Sequence, residues 1–327
     1  MTAVPDAEVP RTPAIEAGID EAVRYLDSDA ALASIAADVY WPKWNCPWWQ
    51  MTMLWELGEA ARIPTRAAAA MVEGLRALRL HTFPIRPEDW PPNADRWRDT
   101  SCHCALGTID QVLSACGVDV DAELPWVRPW YARYQMRDGG LNCDEAAYLV
   151  EDECPSSMVG TVAPFEAMIR RGPSEFLDRA AALLVARELR LGSPTRHNAE
   201  ERDMAPRWLE LAFPRFYFYD VLRGLTALVR WATAERRAIP AHAIAHVAEH
   251  LARAHPDGVV RVGRRPFDGI GTHARQPDGV WRRQPNAATF PLVEAVAVIG
   301  EPSGALTAEW RKTRHALVAL IDAGLVQ

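Results

Sequence analysis

The sequence lacks several features that identify large classes of proteins. No uninterrupted apolar run approaches the ~20 residues that a membrane-spanning helix requires. The formal net charge is −7, whereas nucleic-acid binding needs a clustered positive surface, so no nucleic-acid partner is expected. The sequence has neither a glycine-rich phosphate loop nor a nucleophile elbow, which argues against a nucleotide cofactor and against a serine hydrolase.

An export signal is also missing. Residues 1–14 contain proline and acidic residues without the apolar core of a signal peptide, so we expect a disordered tail and a cytoplasmic protein. The six cysteines are then expected to be thiols or metal ligands rather than disulfides.

Apolar periodicity predicts an all-α protein. One apolar helix face begins at Ile19 and continues at i+3, i+4 and i+7. Further helices are predicted over residues 64–80, 176–191, 242–255 and 308–323. Strand signals are weak, and the best ones fall in an irregular or hairpin insertion near 256–285. There, residues 258–262 are expected to pair with Val280 and Trp281.

A repeated unit is the most informative feature that is present. In it, a turn and a cysteine or aromatic residue precede an apolar helix; the copies begin at Cys46, Cys102, Cys154 and Phe213, with a degenerate copy at Thr289. Helical units that cannot bury an apolar face alone must stack on each other. We therefore predict one domain over residues 15–327, with alternating inner and outer helices and with the polar helix starts gathered at one end.

Residues 135–140, Gln-Met-Arg-Asp-Gly-Gly, resemble the Gln-x-x-Asp/Glu-Gly-Gly turn of the prenyltransferase and squalene-cyclase repeat superfamily. Weaker versions occur at 255–258 and 276–281. That superfamily forms an α/α toroid whose inner helices line a central apolar cavity, and the layout is most similar to short bacterial squalene-cyclase-like proteins. The resemblance implies a terpenoid-cyclase-like or prenyltransferase-like enzyme, with an apolar small-molecule substrate for which an isoprenoid is one candidate.

The resemblance also implies a metal site. In the β-subunits of protein prenyltransferases, an inner helix that begins Asp-x-Cys holds zinc, which makes Asp152 and Cys154 candidate ligands. The family takes its third ligand, a histidine, from the next inner helix, which has no histidine here. His103 is expected in its place, with Cys104 and His197 as alternates.

A second hypothesis for the same end of the helices needs no metal. Asp144, Glu145 and Asp152 are acidic residues beside the expected cavity, where burial and mutual repulsion raise a carboxyl pKa and suit acid catalysis. His103 is a candidate base in this version. Four aromatic side chains are predicted to face the substrate and to stabilise a cation through their rings: Trp48, Trp49, Tyr217 and Tyr219.

Other interpretations remain open. The protein can be a non-catalytic toroid that binds a lipid-like ligand or a partner. A lanthipeptide-type zinc cyclase ranks lower, because Cys102 and His103 lack the glycine that follows them in that family. Each candidate group also has a purely structural explanation. The thiols can be small buried apolar groups, the carboxylates can belong to a solvated loop, and the aromatic rings can be ordinary core side chains.

Overall fold

The computed structural model describes residues 4–77, 87–89 and 103–327. This part of the chain contains fourteen α-helices and one two-stranded sheet, which confirms the all-α prediction. The helices are α1 (Pro13–Leu26), α2 (Asp29–Ala37), α3 (Pro47–Glu56), α4 (Thr65–Ala77), α5 (His103–Ala115), α6 (Val120–Glu123), α7 (Val127–Tyr134), α8 (Met158–Ile169), α9 (Glu175–Ala186), α10 (Ala199–Met204), α11 (Val221–Glu235), α12 (Ala241–Ala254), α13 (Pro291–Val296) and α14 (Gly304–Asp322). The strands are β1 (Thr272–Arg275) and β2 (Trp281–Gln284).

Four helices form the buried centre of the molecule. Helices α3, α5, α8 and α11 are buried over most of their surface, and α5 packs against α8 more extensively than any other described pair. Gly107 allows this close approach, because a Cβ atom there would lie 2.3 Å from the backbone nitrogen of Pro164. Helix α3 also contacts α5, while α11 contacts both α8 and α14.

The remaining long helices pack outside this centre. Helix α9 packs on α8, α12 packs on α11 and α9, and α2 packs on α4. Helix α12 has alternating buried and exposed positions at helical spacing, as expected of a helix with one face in water. Helix α1 contacts both α3 and α13. No helix among the described residues is both long enough and apolar enough to cross a membrane.

The glycine turn at 135–140 connects α7 to the outer layer. The side-chain amide nitrogen of Gln135 donates to the carbonyl oxygens of Gly139 and Phe176, at 2.8 and 2.9 Å. Gly139 has a φ of 93° and lies against Arg179, whose carbonyl oxygen would be 2.1 Å from any Cβ at this position. Only glycine meets both requirements, so the conformation of the turn explains why glycine stands here.

In the segment 4–12, which belongs to the predicted disordered tail, Asp6 and Glu8 contact α14. Asp6 forms an ion pair with Arg314 at 2.6 Å, and Glu8 forms one with Arg311 at 2.8 Å. These arginines are more than 300 positions away in the chain. The acidic residues of the segment thus form its ion pairs with α14.

The hairpin lies within the predicted insertion but uses a different partner strand. Strand β1 pairs antiparallel with β2, with Thr272 opposite Gln284 and Arg275 opposite Trp281. The expected partner, residues 258–262, bonds instead to the segment before α14, where Val262 exchanges backbone hydrogen bonds with Glu301 and Gly300. The tight turn at Gly279 joins β2 to the strand immediately before it, which fixes this pairing.

Replacing Gly107 by alanine is expected to lower the free energy of unfolding by about 1–3 kcal/mol, the usual cost of overpacking a core. The new methyl group would collide with the backbone of α8 at Pro164. The better helix propensity of alanine, about 1 kcal/mol, offsets part of this loss. Urea denaturation measures the change, and Ala319→Gly at an exposed position of α14 calibrates the propensity. Unchanged or increased stability of the variant would contradict the close approach of the two helices.

Candidate functional site

A cavity of about 640 Å³ lies where the C-terminal ends of α3, α5 and α8 meet α11 and α14. Its volume is within the range of about 300–1,000 Å³ that small-molecule sites occupy. The lining is partly apolar, with Trp55, Phe216 and Val229 among its residues. It is also strongly charged. The charged side chains in the wall are Glu56, Glu166, Arg215, Arg223, Arg230, Glu309 and Lys312.

The deepest charges form an ion pair between α8 and α11. The Arg223 guanidinium binds both carboxylate oxygens of Glu166, with a shortest distance of 2.7 Å from Nη2 to Oε2. Gln111 of α5 donates from Nε2 to the same carboxylate at 3.1 Å. Both charged residues are buried, at 3% and 7% exposure, so this bidentate contact links three helices inside the core.

Arg215 extends the charge network to α14. Its Nε atom donates to Oδ2 of Asp220 at 2.7 Å, and its Nη1 atom donates to Oε2 of Glu309 at 2.6 Å. Asp220 is the N-cap of α11 and accepts the backbone N–H of Arg223 at 2.9 Å. Burial alone would raise the pKa of Asp220, but the charge and hydrogen bonds of Arg215 outweigh it and hold this pKa below its usual range.

Glu56 ends α3 at the cavity wall and holds the loop before α11. Its two carboxylate oxygens accept the successive backbone N–H groups of Arg215 and Phe216, at 2.8 and 2.5 Å. Phe216 has a φ of 54°, the left-handed region, and such a conformation lets adjacent N–H groups converge on one anion. Burial raises the pKa of Glu56 to about 7, although these hydrogen bonds and the charges of Arg215 and Arg223 oppose the shift. The cavity therefore contains a carboxyl group that titrates near neutral pH.

Only some of the predicted reactive residues at the helix starts lie close to one another. His103 begins α5 and is fully buried, with its Nδ1 atom 2.7 Å from the carbonyl oxygen of Asn142 and 3.4 Å from the hydroxyl of Tyr148. The Sγ atom of Cys104 lies 3.3 Å from that of Cys143. Cys102, which opens the predicted motif, lies outside the described residues.

Two of the predicted acidic residues, Asp144 and Asp152, are exposed, and Glu145 is partly exposed. Asp152 pairs with Arg196 at 2.8 Å, and both side chains are largely exposed. Asp144 is exposed and pairs with His197 at 3.1 Å. Glu145 begins a short 3₁₀ turn, Glu145–Leu149, and none of these three carboxylates lines the described cavities.

The helix predicted to open at Asp152 begins later in the structure. Helix α8 starts at Met158, with Ser157 as its N-cap accepting the N–H of Gly160 at 3.2 Å. Cys154 precedes Pro155, and a residue before proline is disfavoured in helical conformation. Residues 151–153 form a bend, so Asp152 and Cys154 are not presented by a helix N-terminus.

The described residues do not assemble the expected zinc site. In residues 4–77, 87–89 and 103–327, no three His, Cys, Asp or Glu side chains converge as a metal site. Asp152 is largely exposed and pairs with Arg196, whereas His103 is fully buried. Among the described residues, the ligand set that the resemblance implies is therefore not brought together, and no chemical step is assigned to zinc.

The predicted substrate-binding aromatics belong to other parts of the core. Trp48 and Trp49 are fully buried near the start of α3, and neither lines the cavity, although the ring centre of Trp49 lies 5.4 Å from that of Phe216 in the cavity wall. Tyr217 lies against Lys43, with the ammonium 5.6 Å from the ring centre. Tyr219 donates its hydroxyl to the carbonyl of Leu189 at 2.7 Å and lines a separate cavity of about 400 Å³.

The residues that line the charged cavity were not among the predicted site residues. The sequence does contain a signal for two of them, since Glu56 and Glu166 are each the one charged residue of an otherwise apolar helix. A charged residue in such a place is rarely buried unless it is paired. Glu166 can therefore be recognised as a member of a buried pair, although the sequence does not identify the partner.

Replacing Arg223 by leucine is expected to lower the free energy of unfolding by about 3–5 kcal/mol, because the Glu166 carboxylate would remain buried without its cation. The double change Glu166→Leu/Arg223→Leu is expected to cost less than the sum of the two single changes. Denaturant unfolding of the four proteins measures this coupling. The exposed pair Asp178–Arg237, at 2.9 Å, is the control and is expected to couple by less than about 1 kcal/mol. Equal coupling for the two pairs would contradict the burial of the first.

Glu56 should make stability fall as pH rises. Between its ordinary pKa of 4.5 and the raised value of about 7, the folded chain keeps a proton on Glu56 that the unfolded chain has released. The stabilisation is complete below the ordinary pKa and is lost as pH rises through the raised one. From about pH 5 to about pH 8, wild type should therefore lose about 1–3 kcal/mol relative to Glu56→Gln.

The measurement is urea unfolding of both proteins at several pH values, with Glu249→Gln as the control for the same change at an exposed position. A difference between wild type and Glu56→Gln that stays constant across this range would show that Glu56 titrates normally.

Comparison with protein-family models, with curated proteins and with solved structures finds no match to this chain. The function proposed below therefore rests on the geometry of the cavity.

Proposed function

We propose that this protein is an enzyme that binds a small molecule in the charged cavity and uses Glu56 as its acid–base group. The observation that carries the proposal is a carboxyl group with a pKa of about 7 in the wall of a cavity of about 640 Å³. A proton donor or acceptor is most effective when its pKa lies near the working pH. The acid–base hypothesis is thus kept, but with Glu56 in place of Asp144, Glu145 and Asp152.

We propose that the helices close into an α/α toroid around this cavity. The support is the succession of contacts from α3 to α5, α8, α11 and α14, together with the packing of α1 on both α3 and α13. In a toroid the inner helices surround a central space, and helices of this succession contribute to the cavity wall. The site would then lie at the C-terminal ends of α3, α5 and α8, opposite the predicted end.

The charged lining restricts the chemical class of the substrate that the resemblance implies. A wholly apolar molecule would displace water from the charged side chains of the wall, and removing charged groups from water is costly. Trp55, Phe216 and Val229 provide apolar surface in the same wall. We therefore propose an amphipathic substrate and, if it is an isoprenoid, one with a polar head.

A specific observation favours the alternative of a non-catalytic binding protein. Both oxygens of Glu56 already accept backbone hydrogen bonds from the loop at Arg215 and Phe216. In that case Glu56 only holds the loop in place, and the cavity binds its ligand without changing it.

The test is to incubate wild type and Glu56→Gln with a small-molecule extract of cells and to follow the mixture by mass spectrometry. If Glu56 transfers a proton, wild type should convert at least one compound, and the variant should slow this conversion by roughly a hundredfold or more. Both proteins should retain the same small molecule in native mass spectra. Glu249→Gln, at an exposed position of α12, should behave as wild type. Retention of a ligand by both proteins with conversion by neither would establish the non-catalytic alternative.

A further inference from the structure

We propose that the ligand of this cavity carries an anionic head, a phosphate or a carboxylate, which Arg230 and Lys312 bind at the cavity mouth. The inference rests on the ligand-binding function proposed above and adds the chemical class of the ligand. It is carried by the contrast between the cations deep in the cavity and those at its mouth.

The deep cations are already neutralised. Arg223 binds Glu166 through two oxygens, and Arg215 lies between Asp220 and Glu309. A ligand anion entering this region would face these carboxylates and would have to displace them from their partners. The interior of the cavity is therefore suited to an uncharged part of the ligand, polar where it faces Glu56 and apolar where it faces Trp55, Phe216 and Val229.

The cations at the mouth have no such partners in the part of the chain that the structure describes. Arg230 of α11 and Lys312 of α14 line the same cavity and are exposed. Within residues 4–77, 87–89 and 103–327, neither side chain has a hydrogen-bond or ion-pair partner. Two unpaired cations at the rim of a concave site attract an anion and hold it with charge-assisted hydrogen bonds.

The two helices hold these cations in fixed relation. The hydroxyl of Thr226 is 2.8 Å from that of Thr313 and donates to Oε1 of Glu309 at 2.8 Å, which joins α11 to α14. Arg230 follows Thr226 by four residues, and Lys312 follows Glu309 by three. Each cation thus lies about one helical turn from this contact and on the same helix face.

The wall below the cations leaves room for the rest of the ligand. On α14, Ala305, Ala308 and Ala316 line the cavity, and their small side chains bring the wall close to the helix backbone. Leu57 of the segment after α3 adds an apolar side chain to the lining. An anionic head at the mouth and a less polar body against this wall give the ligand one favoured orientation.

The chain has only two lysines, Lys43 and Lys312. The rate at which the Lys312 amine is acetylated therefore measures how accessible the cavity mouth is. Lys43 lies 5.4–5.8 Å from four aromatic ring centres and is absent from the cavity wall, so it is the internal control. Octyl phosphate should slow acetylation of Lys312 severalfold and leave Lys43 unchanged. Octanol, which has the same tail without charge, should protect neither lysine.

Binding of octyl phosphate and of octanoate, measured by calorimetry, tests the head group itself. Arg230→Ala and Lys312→Ala should each weaken the affinity for the better of the two about tenfold or more. Arg253→Ala on α12, an exposed arginine away from the cavity, should leave it unchanged. Tighter binding of octyl phosphate identifies a phosphate head, and tighter binding of octanoate identifies a carboxylate head; either result supports the proposal.

The outcomes separate this inference from the proposed function. Binding of octanol as tight as that of octyl phosphate, or affinities unaffected by both mouth variants, would overturn the anionic head while leaving a ligand-binding cavity. Failure of all three probes to bind would also overturn the anionic head. The proposed function itself would fail only if, in addition, no small molecule were retained or converted by wild type.

Discussion

The buried ion pair between Glu166 and Arg223 is the interaction on which the rest of the structure depends. It joins α8 to α11 in the core, and Gln111 adds α5 to the same carboxylate. Replacing a buried pair by packed apolar side chains is often neutral or stabilising, so the pair is weak evidence for stability. Its effect here is geometric, because it holds three helices at fixed positions while keeping polar groups in the cavity wall. Apolar side chains at the same positions would favour closure of the space.

Glu56 and Arg215 connect that core to the loop before α11. The loop contains a left-handed residue, Phe216, and such a conformation persists only where surrounding contacts hold it. The carboxylate of Glu56 supplies two of these contacts, while the Arg215 side chain binds both Asp220 and Glu309. The group proposed to exchange a proton therefore also shapes the wall, so a change in its protonation state alters the hydrogen bonds of the loop.

Sequence reasoning predicted the helices far better than the site. The structure has α12 at Ala241–Ala254 and α14 at Gly304–Asp322, close to the predicted 242–255 and 308–323, because helical periodicity is a local property. The partners in the cavity wall are distant in sequence: Glu56 bonds to Arg215 159 positions away, and Gln111 bonds to Glu166 55 positions away. No local spacing encodes these pairs. The glycine turn at 135–140 was recognisable because its constraint, a positive φ at Gly139, is carried by a single residue.

The charged cavity is hard to explain by stability alone. The side chains that line a cavity have fewer protein contacts than core side chains, and the charges in its wall have lost part of their hydration. The fold nevertheless keeps both beside a tightly packed core, as expected of a binding site. An anion at Arg230 and Lys312 would also act on Glu56, because a nearby negative charge favours the protonated form of a carboxyl group. The ligand's own charge would thus help to keep on Glu56 the proton that the proposed reaction uses.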